Sequence, residues 1–62
     1  MSQIVIYKGI TVEPKGRESG KIRIRTTNAA DANKAGIPFK EMEGGAAVFE
    51  IWVPESELVA VD

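Results

Sequence analysis

The sequence predicts a mostly β fold: a small antiparallel β-barrel or roll of five to six short strands, with one short helix around residues 28–35. Three observations carry this expectation. Short β-branched and aromatic runs alternate with Gly- and Pro-containing turns along the whole chain. The run Lys21–Thr26 places an isoleucine between cations at every second position, the period of a half-buried strand. A single alanine-rich segment carries both the start and the stop signals of a helix.

Taken in order, residues 3–7 (QIVIY) read as a strand, with Lys8-Gly9 as punctuation. Residues 10–13 (ITVE) alternate, with Ile10 and Val12 on one face, and Pro14 is expected to stop this strand. Residues 15–20 then form a mobile hairpin loop, glycine supplying positive φ and the charges keeping it wet. In Lys21–Thr26 the isoleucines Ile22 and Ile24 go inward, while Lys21, Arg23 and Arg25 go outward.

The helix follows. Thr27 or Asn28 caps its free N–H groups, Asp31 suits the positive end of the dipole and Lys34 the negative end. Gly36 suits a left-handed terminus and Pro38 blocks continuation. Two turns alone do not persist in water, so the small alanines must lie against the sheet. Residues 37–42 form a short edge strand, Gly44-Gly45 a hairpin turn, and Ala46–Val53 the next long strand. Pro54 leads a single helical or 3₁₀ turn, and residues 58–61 (LVAV) close the chain as a strand. The sequence arrangement over residues 46–61, a strand, a proline-led 3₁₀ turn and a short terminal strand, resembles the closing section of an SH3-like barrel. That is a likeness of arrangement rather than of motif. The expected core comprises Ile4, Ile6, Ile10, Val12, Ile22, Ile24, Phe39, Phe49, Ile51, Val53, Leu58 and Val61.

Sixty-two residues make one domain, residues 1–62. At this size folding buries only about 60% of the unfolded surface. With no cysteine, disulfides and thiolate metal sites are excluded, and the core or an oligomer must supply the stability. No apolar run approaches the roughly 18 residues of a membrane span, and the N-terminus lacks the basic region of a signal peptide. A soluble, cytoplasmic protein is therefore expected. Short accessory proteins of this kind are common in phage and mobile-element genomes, which makes that origin an expectation too.

Histidine and cysteine, the commonest general base and thiol nucleophile, are both missing. Ser56 lies between two acids in a turn, and the pairs Glu41/Glu43 and Glu55/Glu57 read as solvated surface carboxylates. No catalytic, cofactor or metal site is expected. The stretch Lys15–Lys21 (KGRESGK) superficially suggests a phosphate loop. Its glycines are one residue too close, Ile22 stands where a hydroxyl is needed, and a strand follows where a helix must.

Charge is divided along the chain. Residues 1–25 carry six cations against two acids, and residues 26–62 two cations against seven acids. Lys15 and Arg17, on the hairpin, extend the Lys21, Arg23, Arg25 stripe. Trp52, on the outward face with Glu50, and Tyr7, out of phase with Ile4 and Ile6, are the candidate exposed aromatics. Tyr7, Lys15, Arg17, Lys21, Arg23, Arg25 and Trp52 are thus the candidate binding residues. Two uses fit them. One is a protein-interaction module, an accessory, adaptor or inhibitor protein with another protein or itself as partner, since Trp, Tyr and Arg dominate binding hot spots. The other is single-strand nucleic-acid binding, with bases stacked on Tyr7 or Trp52 and phosphates on the cations. The plainer alternative packs Trp52 against the alanine helix and neutralises the arginines with Glu50 across the strands.

Overall fold

A computed structural model describes residues 4–61. Its elements are β1 (Ile4–Tyr7), β2 (Ile10–Glu18), β3 (Lys21–Thr26), α1 (Ala29–Ala35), β4 (Phe39–Glu43), β5 (Ala46–Pro54), a 3₁₀ turn (Glu55–Glu57) and β6 (Leu58–Val61). The strands form one antiparallel sheet in the order β4-β5-β3-β2-β1-β6. Edge strands β4 and β6 do not pair with each other, so the sheet is open among the described residues. No helix among these residues is long and apolar enough to cross a membrane.

The hairpin turns are tighter than expected. Ser19 and Gly20 take φ of 50° and 78°, and Lys8 and Gly9 take 48° and 84°. Two successive residues with positive φ are the signature of the type I′ turn, whose twist matches that of the flanking strands. The expected stop at Pro14 and the mobile loop beyond it are therefore corrected. β2 runs straight through Pro14, and only Ser19-Gly20 turns.

Proline is accommodated because the register with β3 shifts between Pro14 and Gly16, a bulge that leaves Lys15 without an opposite residue. The bulge bends β2. Its first half pairs with β1 (Val12 opposite Val5, Ile10 opposite Tyr7) and its second half with β3 (Pro14 opposite Ile24, Arg17 opposite Ile22). The first half of β2 gives Ile10 and Val12 to the core, and β3, which pairs with its second half, gives Ile22 and Ile24.

That core comprises Tyr7, Ile10, Val12, Ile22, Ile24, Ala32, Ala35, Ile37 and Val53, with Val5, Phe49, Ile51 and Leu58 packed against it. The phase expected for β1 is corrected by one residue. Directly opposed residues share a sheet face, so inward Ile10 and Val12 require inward Tyr7 and Val5. Ile4 and Ile6 face outward instead, Ile4 being 41% exposed. Val61 and Phe39, also expected inside, are 47% and 56% exposed on the edge strands, Phe39 resting edge-on against Phe49 at 5.9 Å.

The helix closes the core side. The Asn28 carboxamide oxygen accepts from the Asp31 N–H at 3.0 Å. Gly36, at φ 74°, donates to Asn33, and Ile37 donates to the Ala32 carbonyl at 2.8 Å. These two bonds make a Schellman terminus, and its companion apolar residue, Ile37, is buried. Ala32 and Ala35 enter the core, so the face of the sheet bearing Arg23, Arg25 and Trp52 lies away from the helix.

Candidate functional site

The outward face of β3 and β5 gathers most of the candidate residues. Lys21, Arg23 and Arg25 alternate with buried Ile22 and Ile24, as the period of a strand dictates. Across the ladder, Arg23 is opposite Trp52 and Arg25 is opposite Glu50.

Glu50 organises this face. Its side chain is 4% exposed, and the Arg25 Nε donates to its Oε2 at 2.5 Å. The Lys40 ammonium donates to Oε1 at 2.8 Å, and the Arg23 Nε lies 3.8 Å from the same oxygen. Burial by itself would raise the Glu50 carboxyl, but hydrogen bonds from Lys40 and Arg25, reinforced by their charges, hold it below the ordinary glutamate range. Arg25 is raised in turn, first by its hydrogen bond to Glu50 against the opposing effect of burial, then by the charges of Glu50, Glu43 and Glu41. Glu43 stands 3.5 Å from Arg25. Val48, two residues from Glu50, is 1% exposed although it lies outside the core cluster, so neighbouring side chains close over it.

Trp52 remains 43% exposed. The Arg23 guanidinium carbon stands 5.9 Å from the ring centroid, at the outer limit of a cation–π contact. The ring also lies over Gly16 on β2, where an added Cβ would meet the ring edge at 3.6 Å, an ordinary contact distance. Two shallow depressions flank the indole. One, of 210 Å³, is lined by Arg23, Lys40, Glu50, Ile51 and Trp52. The other, more open and of 460 Å³, is lined by Glu18, Ser19, Lys21 and Trp52. Arg23 also donates to the Lys15 carbonyl at 3.3 Å, but its Nε, buried beside Glu50, makes no hydrogen bond among the described residues.

The structure does not unite all seven candidate residues. Tyr7 is 5% exposed and belongs to the core, with Lys8 above its ring at 5.4 Å, so its expected role as an exposed stacking platform is corrected. Arg17 is directly opposite inward-facing Ile22 and therefore emerges on the other side of the sheet from Arg23. There it pairs with Glu55 at 2.8 Å, beside the backbone bond from Glu55 N–H to the Gly20 carbonyl. Lys15, on the bulge, lies 3.9 Å from Glu13. The single cationic hairpin read from the sequence is thus divided between two faces and partnered by acids. Lys21 is in no ion pair among the described residues and stays with Arg23, Arg25 and Trp52.

Two residues of this face were harder to read. Lys40 gives no periodic signal, because the register of β4 shifts between Phe39 and Glu41. Glu50 is visible as the lone acid in an apolar run (AAVFEIWV), but its burial depends on three cations from two other strands. Comparison with known proteins found no family model, no curated protein and no solved structure that matches the chain.

Proposed function

We propose that this protein is a small non-enzymatic protein-interaction module, an accessory, adaptor or inhibitor protein that meets its partner through the outward face of β3 and β5. One observation carries the reading. Trp52 stays 43% exposed opposite Arg23 on β5, which pairs with the whole of β3, while Glu50 accepts a hydrogen bond from Arg25 and lies 3.8 Å from Arg23 within the fold. A rigid, half-exposed aromatic beside arginine is the typical anchor of a protein interface, because it adds contact area with little further loss of freedom. The bent β2, β6 lying beside β1 and the proline-led turn before β6 support reading the open sheet as an SH3-like roll.

The test is affinity capture from host extract with the wild-type chain and Trp52→Ala, each with and without nuclease. A partner retained after nuclease and lost with Trp52→Ala supports the reading. Capture that depends on nucleic acid, or that Trp52→Ala leaves intact, overturns it.

Nucleic-acid binding is the second reading, and Lys21 beside Trp52 at the open depression favours it. Glu18 lining the same depression, and Glu50 beneath the arginines, weigh against it, since only cations not already paired with acids can displace the counterions condensed on a phosphate backbone.

A further inference from the structure

Three cations converge on Glu50, and they share it unequally. Arg25 donates to Oε2 and Lys40 to Oε1, while Arg23 stands 3.8 Å away. Arg25 has a second acid in Glu43, at 3.5 Å. Among the described residues Arg23 has one hydrogen-bond acceptor, the neutral Lys15 carbonyl at 3.3 Å, and its Nε has none. Three cations thus meet two acids, and the positive charge left over belongs to Arg23 and Lys40.

Position concentrates that excess beside the indole. Opposed residues share a face, so Glu13, opposite Arg25, and Glu41, opposite Val48, also lie on the outward side. With Glu43 they sit at the Arg25 end of the strands. At the Trp52 end the cross-strand row is Gly16, Arg23 and Trp52. Gly16 contributes no side chain, and an added Cβ there would stand 3.6 Å from both the indole edge and the Arg23 Nε. The depression lined by Arg23, Lys40, Glu50, Ile51 and Trp52 measures 210 Å³. Small-molecule pockets begin at about 300 Å³, so this one suits a single side chain better than a free ligand.

We infer that the partner engages this depression with a carboxylate: an aspartate or glutamate side chain meets Arg23 and Lys40, and an adjacent apolar residue lies on Trp52. The inference rests on the protein-interaction reading above and names the chemistry of the partner segment, an acidic residue flanked by apolar ones. Three features select it. A carboxylate carries one charge, which matches the excess. Its two oxygens accept from a planar guanidinium, and the Lys40 ammonium has donors beyond the one given to Glu50. Apolar flanks bring no further charge towards Glu50 and Glu18, which line the depressions on the two sides of the indole. A phosphate backbone repeats its charge along the strand and meets both acids.

Selection of a random peptide library, displayed on phage, against the immobilised chain tests the inference without the natural partner. Enriched peptides are expected to place aspartate or glutamate beside an apolar or aromatic residue, and to shift the emission of Trp52 when added in solution. Replacing the peptide's acid by its amide, or Arg23→Gln in the protein, lowers affinity about tenfold or more, the scale of one hydrogen bond to a charged group. Arg17→Gln, on the other side of the sheet, leaves affinity unchanged. Should Arg23→Gln fail to fold, the change in the peptide decides alone. Peptides that lack acids yet still shift Trp52 overturn the inference and leave the interaction reading standing. So does an acidic peptide that tolerates the amide. A single-stranded oligonucleotide that displaces the acidic peptides overturns both. A library that yields no peptide acting on Trp52 overturns the inference, while the interaction reading is decided by capture from extract.

Discussion

Arg25 and Glu50 occupy directly opposed positions on the two central strands, and their side chains join at 2.5 Å over a carboxylate that is 4% exposed. Lys40 completes the arrangement from a third strand. A carboxylate this deep is tolerated only because two donors reach it, and replacing it by an amide leaves one of those donors facing an N–H group instead of an acceptor.

Glu50→Gln is therefore expected to destabilise the fold by about 2 kcal/mol, below the usual cost of breaking a buried pair because Lys40 and Arg25 retain some access to water. Urea unfolding measures it. A change within about 0.5 kcal/mol, the range of ordinary surface substitutions, would show that the pairs contribute little.

Acid should weaken the protein through the same group. The folded-state pKa of Glu50 is depressed, so its contribution is fully present above the unfolded glutamate value of about 4.3 and is lost as pH falls through the lower folded value. Thermal melts between pH 7 and pH 2 should show a steep acid limb in the wild type and a shallower one in Glu50→Gln. Parallel limbs would mean that other carboxylates govern acid unfolding.

Tyr7→Ala is expected to cost about 3 kcal/mol or more, since it empties a core position that is 5% exposed. Trp52→Ala is expected to cost about 1 kcal/mol, since the ring is half in water and packs mainly on Arg23 and Gly16. The two melts, run side by side, distinguish a core aromatic from a surface one. Equal losses would contradict the placement of one of them.

Asn28→Ala is expected to cost about 1 kcal/mol, because the Asp31 N–H loses its side-chain acceptor at the helix start. The change should appear in the denaturation midpoint with an unaltered slope. An unchanged midpoint would show that water replaces the cap without loss.

Strand content, the helix with its Gly36 terminus and the Gly44-Gly45 hairpin were legible in the sequence because each depends on local chemistry, while the choice of Asn28 over Thr27 as N-cap was left to the structure. The alternation of Ile22 and Ile24 with Arg23 and Arg25 fixed the facing of β3. Since β5 pairs with β3 in register, the outward placement of Glu50 and Trp52 was legible as well. The phase of β1 was not, because residues 4–7 are apolar at every position and either face satisfies the pattern. Only the pairing of Tyr7 with Ile10 decides it. Nor was the course of β2, where a proline that reads as a stop sits beside a bulge and a positive-φ pair supplies the true turn. The division of Arg17 from Arg23 follows from that bulge, which no count of alternating residues anticipates.

The most direct measurement follows the emission of the only tryptophan while a single-stranded oligonucleotide is added at low salt. With Arg25 hydrogen-bonded to Glu50 and Arg23 held beside the same carboxylate, the expected result is a red-shifted emission typical of a half-exposed ring and no change on addition. Quenching that saturates with oligonucleotide and disappears as salt is raised would contradict the protein-interaction reading and assign the Trp52 face to nucleic acid.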